Sequence, residues 1–105
     1  MVQVSEADDG REIGLVAGEV FDLTLPETSG AGFKWVLASN GQPAIALEKE
    51  DYVSSSKAPG GIRMHRWRFR AQRAGTAKLE LTYGRSWEKL RAKTFTLTVR
   101  IEPSS

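Results

Sequence analysis

The chain has 105 residues, of which 40% are hydrophobic and 27% are charged, and its formal net charge is +2. This length allows one domain with a single core and leaves no room for a second domain. The balance of basic and acidic residues is too even to direct the whole protein to nucleic acid. Cysteine is absent, which excludes disulfides, thiolate metal sites and cysteine nucleophiles.

Membrane insertion is not expected, because no apolar run in the chain approaches the length of a spanning helix. The first ten residues also lack the basic and then apolar pattern of a signal peptide. The sequence leaves the compartment open: periplasmic or secreted if a signal was removed, and otherwise cytoplasmic.

Alternation of apolar and polar residues with period two recurs along the chain and predicts β-strands. Weaker strands are predicted near Val2 to Ser5, Glu12 to Val16, Gly32 to Ala38 and Ile45 to Val53. Four segments alternate more clearly, the first running from Glu19 to Leu25. Their inward-facing residues are Phe21, Leu23 and Leu25; His65, Trp67, Phe69 and Ala71; Ala77, Leu79, Leu81 and Tyr83; and Phe95, Leu97, Val99 and Ile101.

Turn signals divide these strands at short intervals and determine the predicted architecture. They lie at Ala7 to Gly10, Ser39 to Gly41, Ala58 to Gly61 and Arg73 to Gly75. Seven or eight short strands that are apolar on one face predict an all-β, antiparallel sandwich of two sheets.

Catalysis finds little support among the residues. His65 is the only histidine and lies on an apolar strand face, so we interpret it as a structural residue. Asp8 and Asp9 are weak evidence for a cation site, and the glycines around Gly30 lack the strand, loop and helix context of a phosphate-binding loop. We therefore expect no enzyme activity, no metal and no cofactor.

A stripe of arginines on one predicted strand comprises Arg66, Arg68 and Arg70. Alternate basic residues could meet phosphates or an acidic partner. Charged residues on a solvent-facing strand also prevent sheets from pairing edge to edge. We favour the second interpretation, because no exposed aromatic platform accompanies the stripe.

Three segments at predicted strand ends combine glycine or proline with, in two cases, a large aromatic residue. We name them the first loop, Leu25-Pro-Glu-Thr-Ser-Gly-Ala-Gly-Phe-Lys-Trp35; the second loop, Ala58-Pro-Gly-Gly61; and the third loop, Tyr83-Gly-Arg-Ser-Trp-Glu88. Rigid strands that carry such loops are how a small sandwich presents a binding surface.

These loops resemble those of the chagasin-like inhibitors of papain-family cysteine proteases. The first loop is similar to the family form Asn-Pro-Thr-Thr-Gly-Tyr/Phe-x-Trp, which Gly32, Phe33 and Trp35 match. The second is similar to Gly-x-Gly-Gly at Gly60 and Gly61. The third is similar to Tyr-x-Arg-Pro-Trp-Glu, matched by Tyr83, Arg85, Trp87 and Glu88. The resemblance runs from about Phe21 to the last strand.

The resemblance implies a single immunoglobulin-like domain over residues 1–105 that inhibits papain-like cysteine proteases reversibly. It implies that the first loop enters the protease cleft while the other two loops clamp its sides. We expect a monomer that binds neither nucleic acid nor membranes. The implied contact residues are Thr28, Ser29, Gly30, Ala31, Gly32, Phe33, Gly60, Gly61, Arg85, Ser86, Trp87 and Glu88.

The first loop departs from the family form at Thr28, Ser29, Gly30 and Ala31, which stand in place of Asn, Pro, Thr and Thr. A lost hydroxyl at Ala31 and a more mobile loop both oppose binding. Ser86 replaces the family proline before Trp87 and loosens that turn as well. Together these changes predict inhibition weaker by about ten-fold or more.

The tryptophans are predicted to divide between core and surface. Trp35 and Trp67 lie on inward strand faces and are expected to fill the interior, Phe33 is expected at the loop base, and Trp87 is expected to be exposed. One alternative function is a non-inhibitory immunoglobulin-like module that binds another protein or a glycan. A small hydrolase is the least favoured alternative, since the residue inventory is poor.

Overall fold

The computed structural model describes residues 1–28, 32–53 and 62–104. Within these residues the chain forms eight β-strands and one short 3-10 helix at Glu6–Asp8. The strands are β1 (Val2–Val4), β2 (Arg11–Val16), β3 (Val20–Thr28), β4 (Phe33–Asn40), β5 (Ile45–Val53), β6 (Ile62–Ala71), β7 (Gly75–Arg85) and β8 (Lys93–Glu102). No helix in the described ranges is long and apolar enough to cross a membrane.

The strands form two four-stranded sheets. The β6 sheet has the order β1-β3-β6-β5, and the β7 sheet has the order β2-β8-β7-β4. Most neighbours are antiparallel, but β1 pairs with β3 and β2 pairs with β8 in parallel. The all-β immunoglobulin-like sandwich is confirmed, with the refinement that each sheet is mixed.

The core consists of the inward faces that period-two alternation predicted. Phe21, Leu23 and Leu25 of β3 are fully buried, and Trp67 and Phe69 of β6 are at most 1% exposed. The apolar residues of β7 and β8 cover them from the other sheet. Trp35 is also buried, so the predicted interior positions of Trp35 and Trp67 are confirmed.

Strand β3 continues three residues beyond the predicted end at Leu25 and includes Pro26. Proline lacks a backbone N–H and is tolerated where a strand has an open side. The β1 neighbour of β3 reaches only as far as Leu23, so Pro26 has a paired strand on the β6 side alone, opposite Met64. The extension carries Glu27 and Thr28 to the end of the sandwich.

Candidate functional site

The bases of the three loops meet at one end of the sandwich. Strand β3 ends at Thr28 opposite Ile62, where β6 begins. Strand β4 begins at Phe33 opposite Arg85, where β7 ends. The backbone N–H of Thr28 also donates to the Tyr83 hydroxyl at 2.8 Å, which joins the end of β3 to the other sheet. Strand pairing therefore brings the three loop bases together.

Seven of the predicted contact residues lie at this end, on strand termini, directly before β4 or in the segment after β7: Thr28, Gly32, Phe33, Arg85, Ser86, Trp87 and Glu88. The other five lie outside the described residues: Ser29, Gly30, Ala31, Gly60 and Gly61. A contact with a protease stays a prediction for all twelve.

Gly32 of the first loop lies directly against Trp87 of the third loop. Its φ angle is +84°, a backbone conformation that favours glycine. A Cβ placed on Gly32 would come within 3.3 Å of three carbon atoms of the Trp87 ring. Trp87 nevertheless keeps 68% of its surface exposed, so the outer edge of its ring lies against Gly32 while much of the side chain remains open to solvent.

Arg85 connects the third loop to the base of the first. Its guanidinium carbon lies 4.4 Å from the centroid of the Phe33 ring and 5.8 Å from the ring of Trp87, distances typical of cation–π contacts. Its Nε lies 3.7 Å from Glu88 Oε1. Phe33 in turn stacks on Tyr83 with ring centroids 5.1 Å apart. These contacts place Trp87 beside a stack formed by Arg85, Phe33 and Tyr83.

Sequence reasoning missed Leu90, which is 87% exposed on the segment between β7 and β8. It follows Trp87 by three residues and is flanked by Lys89 and Arg91. The signal that could have found it is a large apolar residue between two basic residues directly after the third loop. The segment after β7 therefore carries two exposed apolar side chains, Trp87 and Leu90, beside the basic residues Lys89 and Arg91.

Below the loops, Glu27 forms a buried ionic cluster that sequence reasoning also missed. Its side chain is 1% exposed. Oε2 accepts hydrogen bonds from the Trp35 backbone N–H at 2.9 Å and from His65 Nδ1 at 2.9 Å. Oε1 has no hydrogen-bond partner among the described residues, and Arg63 Nη2 lies 3.6 Å from it. The indole N–H of Trp35 adds a bond to the Pro26 carbonyl at 2.9 Å.

His65 is the centre of this cluster and is a structural residue. Its Nε2 lies 2.7 Å from Glu50 Oε2, so each ring nitrogen faces a carboxylate. The ring lies between Trp67, with centroids 3.8 Å apart, and Tyr52, at 4.4 Å. This environment leaves no face of His65 for a substrate.

The charge of Glu27 is stabilised despite its position. Burial raises the pKa of this carboxyl, but the hydrogen bonds from the Trp35 N–H and His65, together with the charge of His65 and the nearby Tyr52 hydroxyl, outweigh burial and lower the pKa below its ordinary value. Burial, together with the neighbouring Glu27, raises the pKa of Tyr52. Glu27 therefore stays ionised while Tyr52 keeps its proton.

The arginine stripe on β6 is paired with carboxylates throughout. Arg66 binds Asp51 through two hydrogen bonds of 2.9 and 2.7 Å, and Arg68 binds Asp22 at 2.8 and 3.0 Å. Arg70 bonds to Glu48 at 2.6 Å. The stripe is thus part of a row of ion pairs on the outer face of the β6 sheet, as a solvent-facing stripe would be. Because β6 lies between β3 and β5, the arginines do not protect a sheet edge.

Asp8 and Asp9 are engaged by backbone groups. Asp8 Oδ2 accepts from the Ser5 N–H and Asp9 Oδ1 from the Thr96 N–H, each at 2.9 Å. No group of three or more histidine, aspartate or glutamate side chains in the described part of the chain could hold a metal ion.

The fold and the loop end together define a class of protein: a small β-sandwich that presents strand-end loops as a binding surface. The sequence model of the chagasin family of peptidase inhibitors, family I42, matches residues 15–99. The chain therefore belongs to the chagasin family, and it is a peptidase inhibitor rather than an enzyme.

Individual relatives are distant in sequence. Chagasin of Trypanosoma cruzi is 26% identical over 90 residues, which cover 81% of this chain and 82% of chagasin. The crystal structure of the cysteine protease inhibitor EhICP2 from Entamoeba histolytica is 18% identical, with a TM-score of 0.81 and coverage of 96% of this chain and 94% of that chain. PbICP-C, solved in complex with falcipain-2, is 15% identical, with a TM-score of 0.64 and coverage of 97% and 89%.

Proposed function

We propose that the chain inhibits papain-like cysteine proteases reversibly, by filling the active-site cleft with the loops at one end of the sandwich. The contact between Gly32 and Trp87 carries this proposal, because it makes the first and third loops one continuous surface. Membership of the chagasin family and the likeness to a cysteine protease inhibitor support the same target class.

The surface has the properties of an interface that is ready to bind. Trp87 offers a large, flat apolar side chain that lies against Gly32, with the Arg85 guanidinium carbon 5.8 Å from its ring, and such contacts reduce the side-chain entropy lost on binding. Tryptophan and arginine are also the residue types that dominate binding energy at protein interfaces. Inhibition then follows from occupancy of the cleft.

The test is titration of the protein into papain and into a cathepsin-like enzyme, with the inhibition constant measured for wild type and for Trp87→Ala. We expect wild type to inhibit competitively and Trp87→Ala to raise the inhibition constant by roughly 30-fold or more, as for a hot-spot tryptophan. Trp87→Ala should remain folded because the side chain is mostly exposed and loses only its contacts with Gly32 and Arg85.

The matched control is Val16→Ala, since Val16 is 42% exposed and lies at the end of β2, beside Glu102 of β8 and away from the loops. It should leave the inhibition constant unchanged. If wild type inhibits neither enzyme, the chain is a binding module of another kind. If Trp87→Ala inhibits as well as wild type, the third loop is not a contact.

A further inference from the structure

We propose that Glu27 is a positioning residue that fastens together the strand ends that carry the first and second loops, and that protease affinity depends on its carboxylate. The inference rests on the proposed inhibitory function. Glu27 itself is buried, so it acts on a protease only through the loops above it.

The carboxylate closes the base of the first loop. Glu27 precedes the last residue of β3, and Trp35 is the third residue of β4. The hydrogen bond from the Trp35 N–H to Glu27 Oε2, at 2.9 Å, therefore spans the segment that contains Gly32 and Phe33. Because β3 and β4 belong to different sheets, this bond also fixes the two sheets relative to each other where the loop emerges.

The same carboxylate faces both strands that flank the second loop. On β6, His65 Nδ1 binds Oε2 at 2.9 Å and Arg63 Nη2 lies 3.6 Å from Oε1. On β5, the Tyr52 ring packs against His65 with centroids 4.4 Å apart, and Glu50 Oε2 lies 2.7 Å from the far nitrogen of His65. Glu27 thus contacts both sides of the first loop directly and reaches both sides of the second loop through His65.

Asp22 is a second buried carboxylate of β3 against which the role of Glu27 can be compared. It lies on the same strand, is also buried at 3% exposure, and also pairs with a basic residue of β6, Arg68. Its ion pair, however, stays within the β6 sheet, and Asp22 lies five residues before Glu27 along the strand. Both carboxylates support the fold, but only Glu27 connects loop bases.

The experiment compares Glu27→Gln with Asp22→Asn. Glutamine keeps the shape and one acceptor oxygen but removes the charge. Both variants should lose stability in urea unfolding, since each removes a buried negative charge that basic side chains and hydrogen-bond donors surround. Only Glu27→Gln should raise the inhibition constant against papain, by about ten-fold or more, whereas Asp22→Asn should stay within about two-fold of wild type.

A second readout uses the free protein and needs no protease. Amide hydrogen exchange of Thr28, Gly32, Phe33 and Trp35 should accelerate in Glu27→Gln and not in Asp22→Asn, because local opening of the loop base controls these amides. Glu27→Asp keeps the charge but shortens the side chain by one methylene, so its amide exchange rates should lie between those of wild type and Glu27→Gln. This variant replaces Glu27→Gln in the experiment if Glu27→Gln fails to fold.

The two readouts separate this inference from the proposed function. If wild type does not inhibit papain-like enzymes, the function is wrong, and the exchange rates still decide whether Glu27 positions the loops. The positioning role is overturned if Glu27→Gln, or Glu27→Asp in its place, exchanges and binds as wild type does. The positioning role is also overturned if Asp22→Asn changes the inhibition constant and the exchange rates as much as Glu27→Gln does, because both changes would then follow from lost stability alone.

Discussion

The ring of Trp87 covers the Cα of Gly32 so closely that no side chain fits between them. The contact joins the first and third loops through two residues that lie more than fifty positions apart in the chain. Two separate features therefore favour glycine at position 32: the positive φ angle and the space that the Trp87 indole occupies.

Gly32→Ala should therefore cost more than its backbone strain. We expect a loss of about 1–2 kcal/mol from the φ angle, and a further loss because the Cβ displaces Trp87. The control is Gly10→Ala, whose φ of +80° is similar but whose Cβ would meet nothing within 4 Å. The measurement is urea unfolding of both variants, alone and combined with Trp87→Ala. In the Trp87→Ala background, Gly32→Ala should cost no more than Gly10→Ala; an excess there would contradict the contact.

Tyr83→Phe should weaken the joint between the two sheets at the loop end. The change removes only the hydroxyl that accepts the Thr28 N–H at 2.8 Å and keeps the ring that stacks on Phe33. We expect a loss of about 1 kcal/mol in the free energy of unfolding, measured in urea. Ser39→Ala, which removes an exposed hydroxyl bonded to the Lys78 carbonyl, should cost less. Equal losses of unfolding free energy in the two variants would show that the Thr28 hydrogen bond stabilises the protein no more than the exposed Ser39 bond does.

Acid should destabilise the protein through its two buried carboxylates. The hydrogen bond from Arg68 lowers the pKa of Asp22. Burial raises the pKa of Glu27, but the hydrogen bonds that Glu27 accepts outweigh burial and lower its pKa. A lowered native pKa gives stability that is complete above the unfolded value and is lost as pH falls through the native value. Unfolding free energy should therefore fall as pH drops below the ordinary glutamate value of 4.5. Glu27→Gln should flatten this dependence; an unchanged curve would contradict the assignment.

Removing the carboxylates that pair with the arginine stripe should create a polyanion-binding surface. In wild type, Arg66, Arg68 and Arg70 are each bonded to an acidic side chain, so we expect elution from a heparin column at low salt. The combined variant Asp51→Asn with Glu48→Gln frees two of the arginines and should elute at higher salt. A control with two exposed carboxylates neutralised elsewhere, Glu12→Gln with Glu102→Gln, separates the local stripe from net charge. Equal retention of both variants would show that position is irrelevant.

Leu90→Ala should leave unfolding unchanged, because the side chain is 87% exposed and loses no buried contact. If the surface that contains Trp87 extends along this segment, the same change should raise the inhibition constant several-fold. Inhibition assays against papain beside urea unfolding measure both effects. An unchanged inhibition constant would limit the interface to the third loop itself.

Strand faces could be predicted from sequence because alternation is a local property of the chain. The inward residues of β6, β7 and β8 follow from it directly, and so do the buried Trp35 and Trp67. The burial of Asp22 and Glu27 could not be predicted in this way. Asp22 lies on an outward face and is covered by a residue 46 positions away, and the Glu27 cluster depends on contacts between two sheets.

The loops were found by a different route. Their motifs named Gly32, Arg85 and Trp87 by resemblance, but the reason for their proximity is strand pairing, which places Phe33 opposite Arg85. Leu90 belongs to no family motif, and its 87% exposure distinguishes it from a core residue. Which described residues touch a protease stays a prediction.

Of the three tryptophans in the chain, two are enclosed in the core and only Trp87 is open to solvent. Emission from the enclosed pair reports whether the protein is folded, whereas any blue shift or quenching at constant fold originates from Trp87. The unlabelled protein thus carries its own optical signal for docking, and stopped-flow fluorescence can time the encounter without an attached dye.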